Sequence, residues 1–256
     1  MEMHGNTILI TGGGSGIGRA LAEAFHALGN MVVIVGRRKE KLDAVAAANP
    51  GMHVVVLDIE DAGAIRSVVK QLKVDFPTLN VVIHNAGIMR DEPVRSADAL
   101  ATAEATVATN LLGPIRLNSA LLPLLLAQPQ ATILTVSSGL AFVPLALTPT
   151  YSATKAAIHA YTQALRYQLQ GTQTQVIELI PPYVQTELQG QRQASDPHAL
   201  PLHDYIDATM QILSASPDVT EVIIERVRPQ RFAEARGEYD VFFKQMNDAL
   251  TARRAS

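Results

Sequence analysis

The sequence predicts an α/β fold, a doubly wound parallel sheet in a three-layer α-β-α arrangement within a single domain spanning 1–256. Short apolar runs alternate with amphipathic helical segments through the first two thirds of the chain. The runs are rich in valine and isoleucine on both faces, as expected for parallel strands that helices cover on both sides. This alternation, with no break in composition, is typical of a doubly wound sheet.

Six strands and the helices between them follow in order. The predicted strands are TILIT (7–11), MVVIV (31–35), HVVVL (53–57), VVIH (81–84), TILTVS (132–137) and QVIELI (175–180). Helical segments follow the first three strands, in GRALAEAFHALG, EKLDAVAAA and AGAIRSVVKQLKVDF. Each segment has apolar residues on one face, so each is expected to cover the sheet.

The last part of the chain is less regular. Residues 189–204 are polar, contain two prolines and follow the sixth strand, so they are predicted to form a substrate loop or lid. Residues 229–256 are predicted to form a helical tail, because Val241, Phe242 and Met246 recur at helical spacing. This tail either packs on its own core or contacts a second subunit.

Composition excludes several kinds of chemistry. The chain has no cysteine, which excludes disulfides, thiol nucleophiles and cysteine-bound zinc. Its histidines form no zinc-binding motif, so no metal is predicted.

The net charge of −3 does not favour nucleic acid or an anionic membrane. The longest apolar stretch is ALLPLLLA (120–127), far below the ~20 residues of a membrane span, and no signal peptide is visible. A cytoplasmic location is expected.

A glycine-rich turn follows the first strand in ILITGGGSGIGRALAEAF. Glycines let the backbone approach a phosphate, and the N-terminus of the following helix adds partial positive charge. Gly12, Gly16 and Gly18 give a G-x-x-x-G-x-G spacing, which differs from the common dinucleotide fingerprint. The six residues from Gly13 have the spacing of a P-loop, but the lysine and hydroxyl residue that should follow are missing. Nucleotide binding is predicted, and phosphate transfer is disfavoured.

Four further motifs stand in register behind this turn. They are HNAG (84–87), Asn110 in VATNLLGPIRL, TVSS ending at Ser138, and YSATK beginning at Tyr151, 13 residues after Ser138. Together with the glycine turn they resemble the single-domain short-chain dehydrogenases/reductases over roughly residues 5 to 190. His84 replaces the first asparagine of that family's Asn-Asn-Ala-Gly. The resemblance implies a Rossmann-like fold and a nicotinamide-dependent oxidoreductase acting on a small-molecule carbonyl or alcohol.

Tyr151 and Lys155 lie four residues apart and so share one helix face. A charged Lys155 favours the phenolate, so the pKa of Tyr151 is expected to fall towards working pH, where Tyr151 can act as general acid/base. The alternative, a core tyrosine beside a surface lysine, is disfavoured by Ser138 upstream. The resemblance implies that Ser138 binds the substrate oxygen and that Lys155 binds the nicotinamide ribose. It also implies that Asn110 holds a water that links the lysine to solvent.

The resemblance extends to the cofactor contacts. Asp58 and Ile59 are expected at the adenine edge, although Asp58 could also cap the next helix. Relatives carry Pro-Gly after the sixth strand, whereas this chain has Pro181-Pro182, which makes the turn beside the nicotinamide less flexible. The predicted cofactor contacts are Gly12, Gly14, Ser15, Gly16, Ile17, Gly18, Arg37, Arg38, Asp58, Ile59, Asn85, Ala86, Gly87, Tyr151, Lys155, Pro181, Val184 and Thr186.

Cofactor choice depends on VVIVGRRKEKL (32–42). In dinucleotide folds, an acidic residue ~20 positions past the glycine turn binds the ribose 2′-hydroxyl of NAD. Gly36 stands there, and Arg37 follows with a guanidinium suited to a 2′-phosphate. Arg38 either stacks on adenine or faces solvent, and the whole segment could alternatively be a solvated basic turn. NADP(H) is predicted over NAD(H).

The sequence also bears on function, assembly and the substrate pocket. Two alternatives are an NAD(H)-dependent enzyme of the same family and a non-catalytic nucleotide sensor, and the presence of Ser138, Tyr151 and Lys155 disfavours the sensor. A homodimer or homotetramer is expected, because the helices around 111–127 and 151–169 offer more apolar surface than one sheet face covers. The expected substrate-pocket walls are 88–92, 139–147, Pro182-Tyr183 and 189–204.

Overall fold

The computed structural model describes the backbone of residues 1–255 and the side chains of residues 1–252. Within that part of the chain, seven parallel strands form one sheet in the order β3-β2-β1-β4-β5-β6-β7. The strands are β1 (Thr7–Thr11), β2 (Met31–Gly36), β3 (His53–Val56), β4 (Leu79–His84), β5 (Ala131–Val136), β6 (Thr174–Leu179) and β7 (Glu221–Val222). The predicted doubly wound parallel sheet is confirmed.

Ten α-helices are present in the described residues. They are α1 (Gly16–Ala27), α2 (Lys39–Ala48), α3 (Ala62–Asp75), α4 (Ala99–Val107), α5 (Gly113–Leu126), α6 (Pro149–Gln168), α7 (Gln191–Ala194), α8 (Leu202–Ala215), α9 (Arg228–Phe232) and α10 (Tyr239–Ala255). A π-helical turn, Ala108–Leu112, joins α4 to α5. None of the helices in this described part is long and apolar enough to cross a bilayer.

The two faces of the sheet bury two separate cores. Successive strand residues point to opposite faces, so Ile8 and Ile10 belong to one core while Leu9 between them belongs to the other. The first core includes residues of α1, α2 and α8, and the second includes residues of α3, α5 and α6. Burial on both faces explains why the strands have apolar runs rather than alternating patterns.

Strand β7 is the element that the sequence patterns missed. It has two residues, and Glu221 lies opposite Glu178 of β6 in the parallel register. Two residues are too few to give a periodic signal. The short strand nonetheless places a carboxylate beside the buried Glu178.

The predicted loop and tail both contain helices. The segment 189–204 holds α7 and the start of α8, and the tail holds most of α9 and all of α10, with Ser256 outside the described residues. Asn247 of α10 accepts a hydrogen bond from Ala146 N (2.7 Å) and donates one to Pro144 O (3.2 Å). These bonds show that α10 contacts its own chain beside 139–147.

Candidate active site

A cleft of about 430 Å³ opens at the carboxyl ends of the central strands. The strand order reverses between β1 and β4, and ligands of open α/β sheets bind outside the carboxyl ends at such a switch point. The lining combines the glycine turn, the end of β2, the segment after β4, the start of α6 and the segment after β6. Its polar members include Ser15, Arg37, Arg38, Lys41, Asp58, Asn85, Arg90, Thr109, Ser137, Tyr151, Lys155, Thr186 and Glu187.

The glycine turn has a backbone that other residues do not adopt easily. Gly12 has φ of 70° and Gly16 has φ of 54°, both in the left-handed region. A Cβ on Gly18 would lie 2.3 Å from Asn85 Nδ2 and 2.5 Å from Gly12 O. Gly12, Gly16, Gly14, Ser15 and Ile17 line the cleft as expected. Gly18 does not line the cleft, and its lack of a side chain allows the helix to pack against the turn; a cofactor contact there stays a prediction.

Thr11 joins the ends of β1 and β4 beneath the cleft. Its Oγ1 accepts hydrogen bonds from Asn85 N and Ala86 N, both at 3.0 Å, and donates one to Ile83 O at 3.3 Å. Asn85 Nδ2 also donates to Thr11 O at 3.0 Å. These bonds hold Asn85, Ala86 and Gly87 along the cleft wall, where all three are lining residues.

Asn110 lies in the π-helical turn and is buried. Its Oδ1 accepts from Ile88 N (2.8 Å), and its Nδ2 donates to Ile88 O (2.9 Å) and to Thr154 Oγ1 (3.3 Å). The side chain therefore ties the segment after β4 to helix α6. It does not line the cleft itself, and every polar atom of its amide already has a partner in the chain.

Tyr151 and Lys155 lie in α6, and both are buried. Lys155 Nζ donates a 2.7 Å hydrogen bond to Val136 O at the end of β5, and it lies 5.5 Å from the centroid of the Tyr151 ring. The Ser138 side chain lies close enough to Tyr151 to act on its pKa, and Ser138 Oγ accepts from Leu140 N at 3.1 Å. The structure thus brings Ser138, Tyr151 and Lys155 together. Tyr151 and Lys155 line the cleft directly, whereas of the two serines that follow β5 only Ser137, and not Ser138, is a lining residue.

The expected pKa of Tyr151 is wrong for this structure. Burial raises the pKa of Tyr151 to about 12, and the Ser138 side chain opposes that rise only in part. Burial also lowers the pKa of Lys155 to about 8, against the charge of Glu178. Spacing on a helix gave the proximity of the two groups correctly, but it carried no information about desolvation, which is the larger effect here.

The outer part of the cleft is charged. Arg37 Nη1 lies 3.6 Å from an Asp58 oxygen and 3.5 Å from a Glu60 oxygen, and Arg38 Nη2 donates to Ser15 Oγ at 3.2 Å. Lys41 Nζ pairs with Glu187 Oε2 at 3.0 Å, so a salt bridge spans the cleft from α2 to the segment after β6. The hydrogen bond and charge of Lys41 lower the pKa of Glu187.

Lys41 is the main lining residue that sequence reasoning missed, together with its partner Glu187. Lys41 belongs to the same basic run as Arg37 and Arg38, GRRKEK (36–41), and that run was a signal that could have found it.

Two further expectations concern Val184 and Asp58. Val184 is buried and lies outside the cleft lining, its backbone bridges to Leu200, and its carbonyl accepts a 2.8 Å bond from Gln193; a cofactor contact there stays a prediction. Asp58 does not cap α3. Asp61 caps it, accepting from Gly63 N (2.7 Å) and Ala64 N (3.0 Å). Asp58 instead accepts from Glu60 N within the preceding turn, at 3.0 Å.

The expected pocket wall at 139–147 is only partly available. Val143 and Leu145 are buried. Phe142 packs edge-on against the His159 ring, with ring centroids 4.7 Å apart, and lies 4.6 Å from the Arg231 guanidinium carbon. Met89 and Arg90, by contrast, do line the cleft.

The residues present fit a dinucleotide. The left-handed Gly12 and Gly16 leave the backbone of the turn accessible at the N-terminus of α1, an arrangement that accepts a pyrophosphate. Arg37, Arg38 and Lys41 at the outer end add positive charge.

Comparisons with known proteins agree with this geometry. The model of the short chain dehydrogenase family matches residues 6–197. The uncharacterized oxidoreductase DltE of Bacillus subtilis (strain 168) is 36% identical over 251 residues, or 96% of this chain and 98% of that protein.

Two solved structures are similar over nearly the whole fold. A short chain dehydrogenase from Burkholderia cenocepacia J2315 in complex with NADP has a TM-score of 0.81 at 25% identity, covering 95% of this chain and 99% of that one. A short chain dehydrogenase/reductase from Burkholderia phymatum in complex with NAD has a TM-score of 0.78 at 21% identity, covering 92% and 93%. The second likeness supports the fold alone.

Proposed function

The chain belongs to the short-chain dehydrogenase family and is a nicotinamide-dependent oxidoreductase, and from that premise we propose that it moves a hydride between NADP(H) and a carbonyl or secondary alcohol, with Tyr151 as general acid/base. One observation carries the proposal. The buried Tyr151, next to Ser138 and Lys155, lines the same cleft as the glycine turn and the Arg37-Arg38 pair. When bound, the nicotinamide supplies or accepts the hydride.

Tyr151 handles the proton in this proposal. A tyrosine whose pKa is raised to about 12 stays protonated at neutral pH, which is the form that a proton donor to a carbonyl oxygen needs. The Ser138 hydroxyl, beside Tyr151, is placed to bind the same substrate oxygen and to stabilise charge developing on it. Lys155, 5.5 Å from the ring centroid, stabilises the tyrosinate left after transfer. Carbonyl reduction is therefore the proposed direction.

Asn110 acts through position. Its bonds to both backbone polar atoms of Ile88 fix the segment that carries Met89 and Arg90 into the cleft. Its bond to Thr154 links that segment to the helix of Tyr151 and Lys155. We assign it the role of keeping the cofactor wall and the catalytic helix in register.

The cofactor proposal is NADP(H). Gly36 ends β2 without a carboxylate that would repel a 2′-phosphate. Arg37 is half exposed and has only long contacts, at 3.5 and 3.6 Å, to carboxylates. Exposed pairs of this kind contribute little to stability, so a phosphate can displace them. Arg38 and Lys41 add two further positive charges to the same part of the cleft.

An NAD(H)-dependent enzyme is the second candidate, and one observation favours it. Asp58 and Glu60 already partner Arg37, so their negative charge opposes a phosphate there. The two candidates differ in the ratio of NADPH to NADH affinity, which a titration measures directly.

The general experiment is a turnover assay across ketones, aldehydes and sugars, following oxidation of NADPH and NADH by absorbance. Reduction of at least one carbonyl class with either cofactor is the expected result. Cofactor binding without turnover of any member of the panel would favour a nucleotide-sensing module instead.

A further inference from the structure

A cluster of charged side chains lies behind Lys155, on the sheet side of α6. The His159 ring Nδ1 is 2.8 Å from Glu178 Oε2. Glu178 lies in β6 and is fully buried, with 0% of its side chain exposed. Neither the glycine turn nor the predicted catalytic set includes Glu178 or His159. A buried carboxylate is costly unless it is paired, so its partners decide what it does.

Lys155 lies on the same helix as His159, the partner of this carboxylate. Lys155 and His159 are four residues apart on α6 and share one face. Lys155 Nζ bonds Val136 O, and the residue before Val136, Thr135, is the register partner of Glu178 on the neighbouring strand. Thr135 Oγ1 in turn bonds Thr162 Oγ1 of α6 at 2.8 Å, so this part of β5 and β6 faces the helix that carries the lysine.

The other charges around Glu178 are already engaged. Arg231 makes two bonds to the Glu221 carboxylate, at 2.9 and 3.0 Å. Arg166 donates to the backbone carbonyls of Val176 (2.9 Å) and Thr220 (2.8 Å).

Glu178 itself retains unused bonding capacity. Oε1 of Glu178 has no hydrogen-bond partner among the residues whose side chains the structure describes. The negative charge of Glu178 is thus left to act on His159 and Lys155, and it does oppose the fall in the pKa of Lys155 that burial causes.

We propose that Glu178, oriented by His159, is a positioning residue for Lys155: its buried carboxylate keeps the lysine an ammonium ion bonded to the Val136 carbonyl behind Tyr151. The charged state of Lys155 follows from this geometry. Only its consequence for turnover rests on the proposed function.

The direction of the effect follows from the charge. A neutral residue at 178 removes the attraction that favours the ammonium form, so the pKa of Lys155 falls further below about 8. Part of the lysine is then neutral at neutral pH. A neutral amine has no charge that could stabilise a tyrosinate or hold the lysine side chain in place.

The test is a titration that needs no substrate. Lysine labelled with 13C at Cε is incorporated, the Lys155 resonance is assigned by its loss in Lys155→Arg, and its midpoint is measured by NMR. Glu178→Gln keeps the size and an acceptor for His159, and it should move the midpoint about one pH unit lower or more. Glu178→Asp keeps the charge and should restore most of the wild-type value. If the Gln protein does not fold, Glu178→Thr provides the same neutral comparison.

A matched control separates charge from general damage. Glu92 is also buried and accepts a 2.9 Å bond from Thr150 Oγ1, nine residues before His159 on α6. Glu92→Gln should leave the Lys155 midpoint where it is. An unchanged midpoint in Glu178→Gln, or an equal shift in Glu92→Gln, would overturn the proposal.

The kinetic consequence is a second readout. The high-pH limb of kcat/KM for carbonyl reduction should move to lower pH in Glu178→Gln by the same amount as the NMR midpoint. A fall in rate without that movement would contradict positioning and indicate a purely structural role. Wild-type protein that turns over no carbonyl would instead contradict the proposed function, and the NMR result would be unaffected.

Discussion

His84 is a buried residue whose two ring nitrogens have no hydrogen-bond partner among the residues that the structure describes. The nearby Asn118 Oδ1 is also without one. Burial lowers the pKa of His84 to about 4, and Asn118 acts weakly in the opposite direction. The asparagine that the family resemblance leads one to expect at this position has no charge to gain, so the histidine introduces a dependence of stability on pH.

We predict that His84→Asn makes the protein more resistant to mild acid. Unfolded chains take up a proton near pH 6.5, whereas folded His84 stays neutral to about pH 4. The unfolded state therefore binds more protons in that window, and stability falls as pH falls through it. The loss from this group is about 2 kcal/mol between pH 7 and pH 5.

Urea unfolding at both pH values measures the effect. His84→Asn should lose less stability than wild type by about that amount, while His4→Asn, at an exposed position, should behave as wild type. Equal losses in wild type and His84→Asn would show that His84 does not titrate as described.

Arg37 determines the cofactor preference in the proposed function. A hydrogen bond to a charged group contributes ~1.5–3 kcal/mol, which is roughly ten- to a hundredfold in affinity. We therefore expect NADPH to bind at least ~tenfold more tightly than NADH, and Arg37→Ala to remove most of that difference.

Fluorescence titration of both cofactors against wild type and Arg37→Ala checks this. Arg66→Ala, an exposed arginine on α3 outside the cleft lining, should leave the ratio unchanged. Equal dissociation constants for NADPH and NADH in wild type would contradict the assignment.

Among the secondary-structure elements, the strands could be predicted from sequence because burial on both faces of the sheet gives them continuous apolar runs. Each of the six predicted strands overlaps an observed one, because a short, continuous run of valine and isoleucine such as MVVIV favours a strand that is buried on both faces. The missed features are too short to give a periodic signal. Strand β7 has two residues, and the choice of Asp61 over Asp58 as helix cap depends on backbone geometry three residues further along.

The joint between β1 and β4 gives a prediction at this scale. Thr11→Val keeps the shape but removes the hydroxyl that accepts from Asn85 N and Ala86 N. Leaving two backbone amides unpaired should cost about 2 kcal/mol or more. For a chain of this size that lowers Tm by roughly 5 °C.

Calorimetry of Thr11→Val and Thr7→Val separates this joint from general strand effects. Thr7 begins the same strand, and its Oγ1 bonds the Thr78 hydroxyl at 3.0 Å, so Thr7→Val should cost less. Equal losses in Tm would show that the Thr11 hydroxyl does not hold the ends of β1 and β4 together.

For the whole molecule, the order and spacing of the motifs identified the residues of the cleft, but they did not predict the electrostatics of those residues. Glycine, Asn85 and Tyr151 positions follow from sequence because each requires a residue type at a fixed place in the fold. The raised pKa of Tyr151 could not be predicted, since burial depends on how α6 packs on β5 and β6. The Lys41–Glu187 pair joins residues 146 positions apart, and single-sequence patterns do not report such contacts.

The assembly state is the prediction that belongs to the whole chain. Large apolar side chains are exposed on α4, the π-helical turn, α5 and α6: Leu100, Leu112, Leu126 and Tyr167 are 66%, 38%, 46% and 73% exposed. We expect these helices to pair in a homodimer or homotetramer. Leu112→Arg should weaken the assembly, whereas Val74→Arg, at a 74% exposed position on α3, should not.

Light scattering at micromolar concentration reports the outcome. A particle of two or four chains is expected. A particle with the single-chain mass of 27.5 kDa would contradict pairing through these helices.

Proton transfer by Tyr151 in a nicotinamide-dependent reaction is best tested with the Tyr151→Phe variant. Turnover and cofactor binding are both measured on that same protein. Turnover should fall by ~100-fold or more, while the cofactor dissociation constant should stay within a few-fold, because the ring is kept. Tyr161→Phe is the matched control on the same helix, since its hydroxyl bonds Asn118 Nδ2 (3.1 Å) outside the cleft, and its turnover should be close to wild type. A Tyr151→Phe protein that retains more than about a tenth of the wild-type rate would contradict the account.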